Sequence, residues 1–306
     1  MHSQVRSITA LDTGASTIRT ARHAALAALS LLKPKITLLL TGYGLVAALV
    51  AAHLALPLER LLLFALLGFM ASGGAACLNH LFERDIDRLM LRTRHRPLVQ
   101  GSITPQSAAL LAAVLLGTSI GLAWLTLGPA VALLFALGAA IYSGLYTLVL
   151  KRRTSQNIVI GGLAGSCGAL AGWAVADPGL GTGAWLLAAI VFLWTPPHFW
   201  GLAVARDEDY RAAKVPMLPQ VAGVKHSAEA MSAYAALMWI FSLALVPFTG
   251  LDIFYGLAAL VLGALFTLLC LTFAQQAGKK LGMIVFKASG AYLGLLLLAM
   301  IVDLAI

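Results

Sequence analysis

About nine runs of apolar residues, each roughly 20 long, divide this chain, and that is the length an α-helix needs to cross the hydrocarbon core of a bilayer. They fall at about 36 to 56, 61 to 82, 107 to 126, 129 to 150, 157 to 176, 183 to 203, 228 to 248, 254 to 274 and 284 to 305. In lipid every backbone N–H and C=O must find its partner within the protein, which leaves helices and closed barrels as the spanning forms. The short alternating segments of a barrel do not occur in this sequence. The expected fold class is therefore all-α, a polytopic membrane protein with about nine transmembrane helices.

Only 11% of the 306 residues are charged, against 60% hydrophobic, so the placement of the few charges is informative. A net charge of +9 would suggest nucleic acid in a soluble protein. Here the basic residues lie in short loops between apolar runs, where they report topology, and no nucleic-acid partner is expected. Of the 21 Lys and Arg, all but Arg60 fall on the side of the amino terminus. The positive-inside rule then places the amino terminus in the cytoplasm and, with an odd number of spans, the carboxyl terminus in the periplasm. Residues 1–35 read as a cytoplasmic amino-terminal tail that is retained, because an apolar core followed by a cleavage site is missing there. So short an extension fits a bacterial inner membrane, and residues 36–306 read as a single transmembrane domain. Cys77, Cys167 and Cys270 all lie within apolar runs without CxxC spacing, so they read as packing residues.

Charge is most concentrated between Asn79 and Pro97, NHLFERDIDRLMLRTRHRP, which holds Glu83, Asp85 and Asp87 with Arg84, Arg88, Arg92, Arg94 and Arg96. If the preceding helix continues, Asn79, Glu83 and Asp87 share one stripe, about 6 Å apart per step. Three oxygen-bearing side chains so placed suit Mg²⁺, which is usually held by one or two carboxylates plus the phosphates of a substrate. Arginines alongside would grip the same phosphates by paired, planar hydrogen bonds. The same residues also fit a solvated, salt-bridged loop, and spacing alone leaves both readings open. A second acidic group, Asp207, Glu208 and Asp209, follows the sixth run, four spans later on the same side. That equivalence suggests two similar halves with a cation site where they face each other. The spans themselves carry almost no charge away from their ends, which argues against an ion or proton pathway.

Two further segments carry polar chemistry next to apolar runs. The fourth run ends at Lys151, Arg152 and Arg153, followed by Thr154, Gln156, Asn157 and a glycine-rich stretch to Trp173. The basic trio serves topology, and a polyphosphate chelated on that face would also need such cations beyond the metal. The glycines suit close helix packing. The sixth run ends LWTPPHFWG, where Pro196 and Pro197 are expected to break or kink the helix and free backbone groups next to His198. His198 can ligate a buried group such as a haem iron, or be a satisfied packing residue.

These segments together resemble the UbiA-type intramembrane prenyltransferases, and within them the branch that farnesylates haem. The resemblance rests on LLKPKITLLLTGYG in the first run, N-x-x-x-E-R-D-I-D-R-x-M-x-R-T-x-x-R-P-L from Asn79 to Leu98, and Y-x-x-x-x-K-R-R-T-x-Q-N-I-V-I-G-G from Tyr146 to Gly162. L-W-T-P-P-H-F-W from Leu193 to Trp200 and D-Y-x-x-A-x-V-P-M-L-P from Asp209 to Pro219 complete it. It implies a helical bundle around a central cavity open near the cytoplasmic side. It also implies transfer of farnesyl from farnesyl diphosphate to a vinyl group of haem B, with water addition, to give haem O. By resemblance Asn79, Glu83, Asp87 and Asp209 are the catalytic set, and the same residues with Asp207 are the Mg²⁺ ligands. Arg94, Lys151 and Arg152 are implied diphosphate contacts, and His198, Arg88 and Arg96 haem contacts. Glu83 stands where aspartate is usual, and R-D-E-D-Y matches the second acidic motif best at Asp209. Where many relatives carry a proline pair this chain has Ser166, Cys167, Gly168 and Ala169, which predicts a locally straighter helix. A haem A synthase or a terminal-oxidase assembly factor is the implied protein partner. An aromatic quinone-precursor acceptor uses the same diphosphate site, and a transporter is the non-enzyme alternative.

Overall fold

The structure, a computed structural model, describes residues 25–306. Nine long helices account for most of them: α1 Pro34–Ala51, α2 Leu58–Phe82, α3 Pro105–Thr126, α4 Pro129–Leu150, α5 Asn157–Ala176, α6 Thr182–Ala205, α7 Val224–Ala244, α8 Ile253–Gln275 and α9 Lys279–Ala305. Among the described residues there is no strand. Eight of the nine are long and apolar enough to cross a membrane. The exception, α7, is 21 residues long but opens with Lys225, His226 and Glu229, which lower its hydropathy. Of the tail expected over residues 1–35, residues 1–24 lie outside the described part, while 25–31 are helical.

Prolines and polar caps start the helices where the sequence supplies them. Pro34, Pro105 and Pro129 occupy first-turn positions, where the missing N–H costs nothing. The Thr104 hydroxyl accepts from the Ser107 N–H at 3.1 Å to cap α3. The start of α8 is capped twice: Asp252 accepts from the Ile253 N–H, and buried Asp303, reaching across from α9, accepts from the Asp252 and Tyr255 N–H groups at 2.6 and 2.8 Å.

The helices pack in sequence order as two linked groups. α1 to α5 form one group, with α5 closing against α1; α6 to α9 form the other, with α9 closing against α6. Contacts of α5 with α6 and of α1 with α9 join them. Small residues set the closest crossings: a Cβ on Gly172 of α5 would lie 1.9 Å from the Gly44 carbonyl oxygen of α1, so the two backbones touch there. Leu62, Leu66, Leu110, Leu125, Leu133 and Leu298 point outward and exposed, as side chains facing lipid do. Cys77, Cys167 and Cys270 are free and buried.

Of the break or kink expected at Pro196 and Pro197, the break is corrected: helix α6 is continuous through both prolines. The prolines leave the Phe192 and Leu193 carbonyls without a helical donor, while the Thr195 hydroxyl donates to the Val191 carbonyl at 2.8 Å one position earlier. The segment around Pro219, which reads as irregular loop, contains the short helix Leu218–Ala222 with that proline in its first turn. Helix α5 is uninterrupted over Leu163–Ala176 and is offset only at Gly162.

Candidate active site

Helix α2 ends at Phe82, yet its register carries on. The Glu83 N–H bonds to the Asn79 carbonyl at 3.0 Å and the Asp87 N–H to the Glu83 carbonyl at 2.8 Å, leading into the short helix Arg84–Leu89. Asn79, Glu83 and Asp87 therefore do form one stripe, and all three are buried, at 1%, 3% and 2% exposure. Three buried side chains with anionic or amide oxygens must be paired, because an uncompensated carboxylate away from water is costly. Their partners are cations and one hydroxyl brought from three other segments.

Lys33, immediately before α1, donates to the Asn79 Oδ1 at 2.5 Å and to the Tyr142 hydroxyl at 3.0 Å. Lys151, at the end of α4, donates to Glu83 Oε1 at 2.5 Å. Arg96 donates to Asp87 Oδ2 at 2.6 Å. Asn79 in turn donates its Nδ2 protons to Glu83 Oε1 and to the Thr147 hydroxyl. Burial pushes the Glu83 carboxyl up, but Lys151, Lys33 and Arg96 outweigh it and hold the group below its ordinary range. The R-T-x-x-R-P segment builds the far wall: the Thr93 hydroxyl donates to the Asp87 carbonyl, which turns the chain so that Arg96 meets the Asp87 carboxylate.

Lys33, Tyr142 and Thr147 contribute here although sequence reasoning did not single them out. Lys33 is conspicuous only as part of the LLKPK segment, and its φ of 48° is the one local sign that the backbone is bent to deliver it. Tyr142, Tyr146 and Thr147 lie on the half of α4 that is a π-helix, Ala140–Leu150. The two tyrosine rings stack at 6.0 Å, and each carries a lysine near its face: Lys33 over Tyr142 and Lys151 over Tyr146, both 5.7 Å from the centroid.

The second acidic group meets the first. Asp209, buried, accepts from the Leu91 N–H at 2.9 Å, which ties the loop after α6 to the loop after α2. Asp207 is turned outward, accepting from Arg211 and Gln220, and the Arg211 bond holds its carboxyl below the ordinary range. Glu208 pairs with Lys279 at the surface. Arg152 makes a two-pronged bond to Asp85 at 2.6 and 2.7 Å on the rim, and Arg88 and Arg94 are exposed. Arg96 is committed to Asp87. His198 lies away from this cluster, on α6 against α9, its Nδ1 2.7 Å from the Ser289 hydroxyl.

The UbiA prenyltransferase family profile matches residues 19–300. The chain belongs to that family. Relatives within it include the protoheme IX farnesyltransferase of Picosynechococcus, 41% identical over 275 residues, covering 89% of this chain and 87% of that protein. In fold the chain resembles a digeranylgeranylglyceryl phosphate synthase, with a TM-score of 0.77 at 20% identity, covering 92% of this chain and 98% of that one. It also resembles a UbiA homologue from Archaeoglobus fulgidus solved with GPP and Mg²⁺, with a TM-score of 0.65 at 18% identity, covering 92% of this chain and all of that one.

The residue types on this stripe are those a hard divalent cation takes. Asn79, Glu83 and Asp87 each carry an oxygen donor on one buried stripe, and these oxygens are engaged by Lys33, Lys151 and Arg96, while the Asn79 Nδ2 points to Glu83 and Thr147. Among the described residues no three His, Cys, Asp or Glu side chains form a metal-binding group by themselves. An ion there would complete its shell with substrate oxygens and water, as Mg²⁺ commonly does.

Proposed function

We propose that this chain transfers the farnesyl group of farnesyl diphosphate to a vinyl group of haem B, with addition of water, giving haem O for terminal-oxidase assembly. The observation that carries this reading is the 41% identity, spread over 89% of the chain, to a protein named for that transfer. The buried oxygen stripe beside two lysines and an arginine supports it chemically.

In this reading Asn79, Glu83, Asp87 and Asp209 hold Mg²⁺, and Asp207 joins them only by leaving Arg211 and Gln220. The metal, when bound, offsets the charge that builds on the departing diphosphate. Lys151 and Arg96 offset the Glu83 and Asp87 carboxylates they touch, and Lys33, on Asn79, adds a third positive charge when protonated. That surplus attracts an anion into the site, and the same donors stabilise the leaving diphosphate. Arg94 and Arg152 extend the clamp at the rim. The apolar bundle interior dissolves the isoprenoid tail and keeps water from the allylic cation until the vinyl carbon has attacked it. His198 contacts the haem, and exposed Arg88 is free to meet a propionate; Arg96 does so only if it releases Asp87.

The membrane is the bacterial inner membrane, the amino terminus and both acidic loops face the cytoplasm, and the central cavity opens on that side. The product passes to a haem A synthase or an oxidase assembly factor. The test is to incubate the purified chain in detergent with haem B, farnesyl diphosphate and Mg²⁺, and to look by mass spectrometry for haem carrying farnesyl plus one water. EDTA and Asp87→Ala should each lower the rate by about a hundredfold or more. Prenylation of an aromatic acceptor, with haem left untouched, overturns the acceptor; silence with every acceptor in folded protein overturns the enzyme.

A further inference from the structure

His80 follows Asn79 on α2 and stands outside the ion pairs of the stripe. It is 4% exposed, and neither ring nitrogen has a hydrogen-bond partner among the described residues. An imidazole carries at least one N–H whether it is neutral or protonated, so a buried donor stands here without an acceptor. Buried donors are almost always paired, because one left bare gives up its hydrogen bond to water on folding and gains nothing in return.

The helix places this donor beside the acidic stripe. The backbone hydrogen bonds run on through the end of α2, so each residue turns by about 100° and rises by about 1.5 Å. His80 therefore projects about 60° from Glu83. It lies seven residues before Asp87, within about 20° of that residue's direction and roughly 10 Å deeper. Lys33, Arg96 and Lys151, the cations that hold the stripe, also bear on the imidazole. The acceptors within their reach are taken: Lys33 holds Asn79 Oδ1, Lys151 and the Asn79 amide share Glu83 Oε1, and Arg96 holds Asp87 Oδ2. Two lysines, an arginine and an imidazole have more hydrogens to donate than two carboxylates and an amide oxygen can accept. A ligand that brings several anionic oxygens of its own corrects that imbalance.

We infer that the His80 N–H is a further diphosphate donor, meeting a phosphate oxygen when the prenyl diphosphate enters. This rests on the reading of Asn79, Glu83 and Asp87 as the Mg²⁺ and diphosphate site. Both ring nitrogens are shielded from solvent, so the contact forms as Lys33, Lys151 and Arg96 turn from the stripe to the ligand. The bare N–H burdens the fold by itself and is repaid in the complex. Removing it should therefore act in opposite directions on stability and on binding, which removal of a packing histidine does not.

The test titrates inorganic diphosphate with Mg²⁺ into the full chain in detergent by calorimetry, and records melting without ligand. His80→Phe and His80→Leu, which lack the donor, should bind diphosphate about tenfold more weakly while melting no lower than wild type. His80→Gln, which keeps an N–H, should bind within about threefold of wild type. Wild-type affinity in both His80→Phe and His80→Leu overturns the contact. A fall in melting temperature that accompanies the lost affinity in both makes His80 a packing residue and overturns it as well. A folded wild-type chain that takes up no diphosphate overturns the site reading, and the inference falls with it.

Discussion

Lys33 shows how one residue can join parts of the site that are far apart in the chain. It adopts a left-handed backbone with φ of 48° just before Pro34, a conformation that costs a residue with a Cβ about 1–2 kcal/mol. In return its amine reaches both Asn79 on α2 and Tyr142 on α4. Withdrawal of the amine from water, followed by the Arg96 guanidinium, pulls its pKa from 10.5 down to about 7. Between about 7 and 10.5 the unfolded chain holds that proton and the folded chain does not, so substrate-free stability should rise with pH across that window. Melting curves in detergent should show the rise, and Lys33→Met should flatten it. The same variant should lose about tenfold or more in kcat/KM for farnesyl diphosphate, roughly 1.4 kcal/mol of transition-state stabilisation. Lys33→Arg should not restore it, because a planar guanidinium does not fit where a compact ammonium meets an amide and a phenol.

At the scale of elements, the π-helical half of α4 decides what the site can hold. A π-turn takes more residues than an α-turn, and here the wider winding brings Tyr142, Thr147 and Lys151 to the acidic stripe together. The Lys151 N–H bonds to the Tyr146 carbonyl at 2.8 Å, five residues back, so the winding persists up to Lys151 itself. Helix α5 makes room for it: a Cβ on Gly161 would lie 2.6 Å from the Tyr146 ring. Deleting exposed Leu148 should let this half relax toward α-geometry and swing Lys151 by about 100° away from Glu83. The expected outcome is a folded, fully helical protein by circular dichroism whose farnesyl transfer is lost; retained turnover would show that the winding is incidental.

Across the whole molecule, the weakest span is α7, which packs between α6 and α8 although its first turns carry charge. If it crosses the membrane, the carboxyl terminus is periplasmic, and an alkaline phosphatase fused after Ile306 should be active while one fused after Gly223 is silent. Silence from both fusions would remove α7 from the membrane and reverse every helix after it. The all-helical fold, membrane embedding and the Asn79–Glu83–Asp87 stripe are legible from residue order, because run length against bilayer thickness and a four-residue spacing on a helix are local quantities. Membership in the family was legible too, from motifs spread over nearly the whole chain. The pairing of each acid with its cation was not. Lys33 meets Asn79 across 46 positions and Leu91 meets Asp209 across 118, and these meetings depend on how helices rotate against one another. In helices apolar on every side, no polar face announces that rotation, so only close packing at points such as Gly44 against Gly172, and the local winding of α4, decided which side chains entered the site.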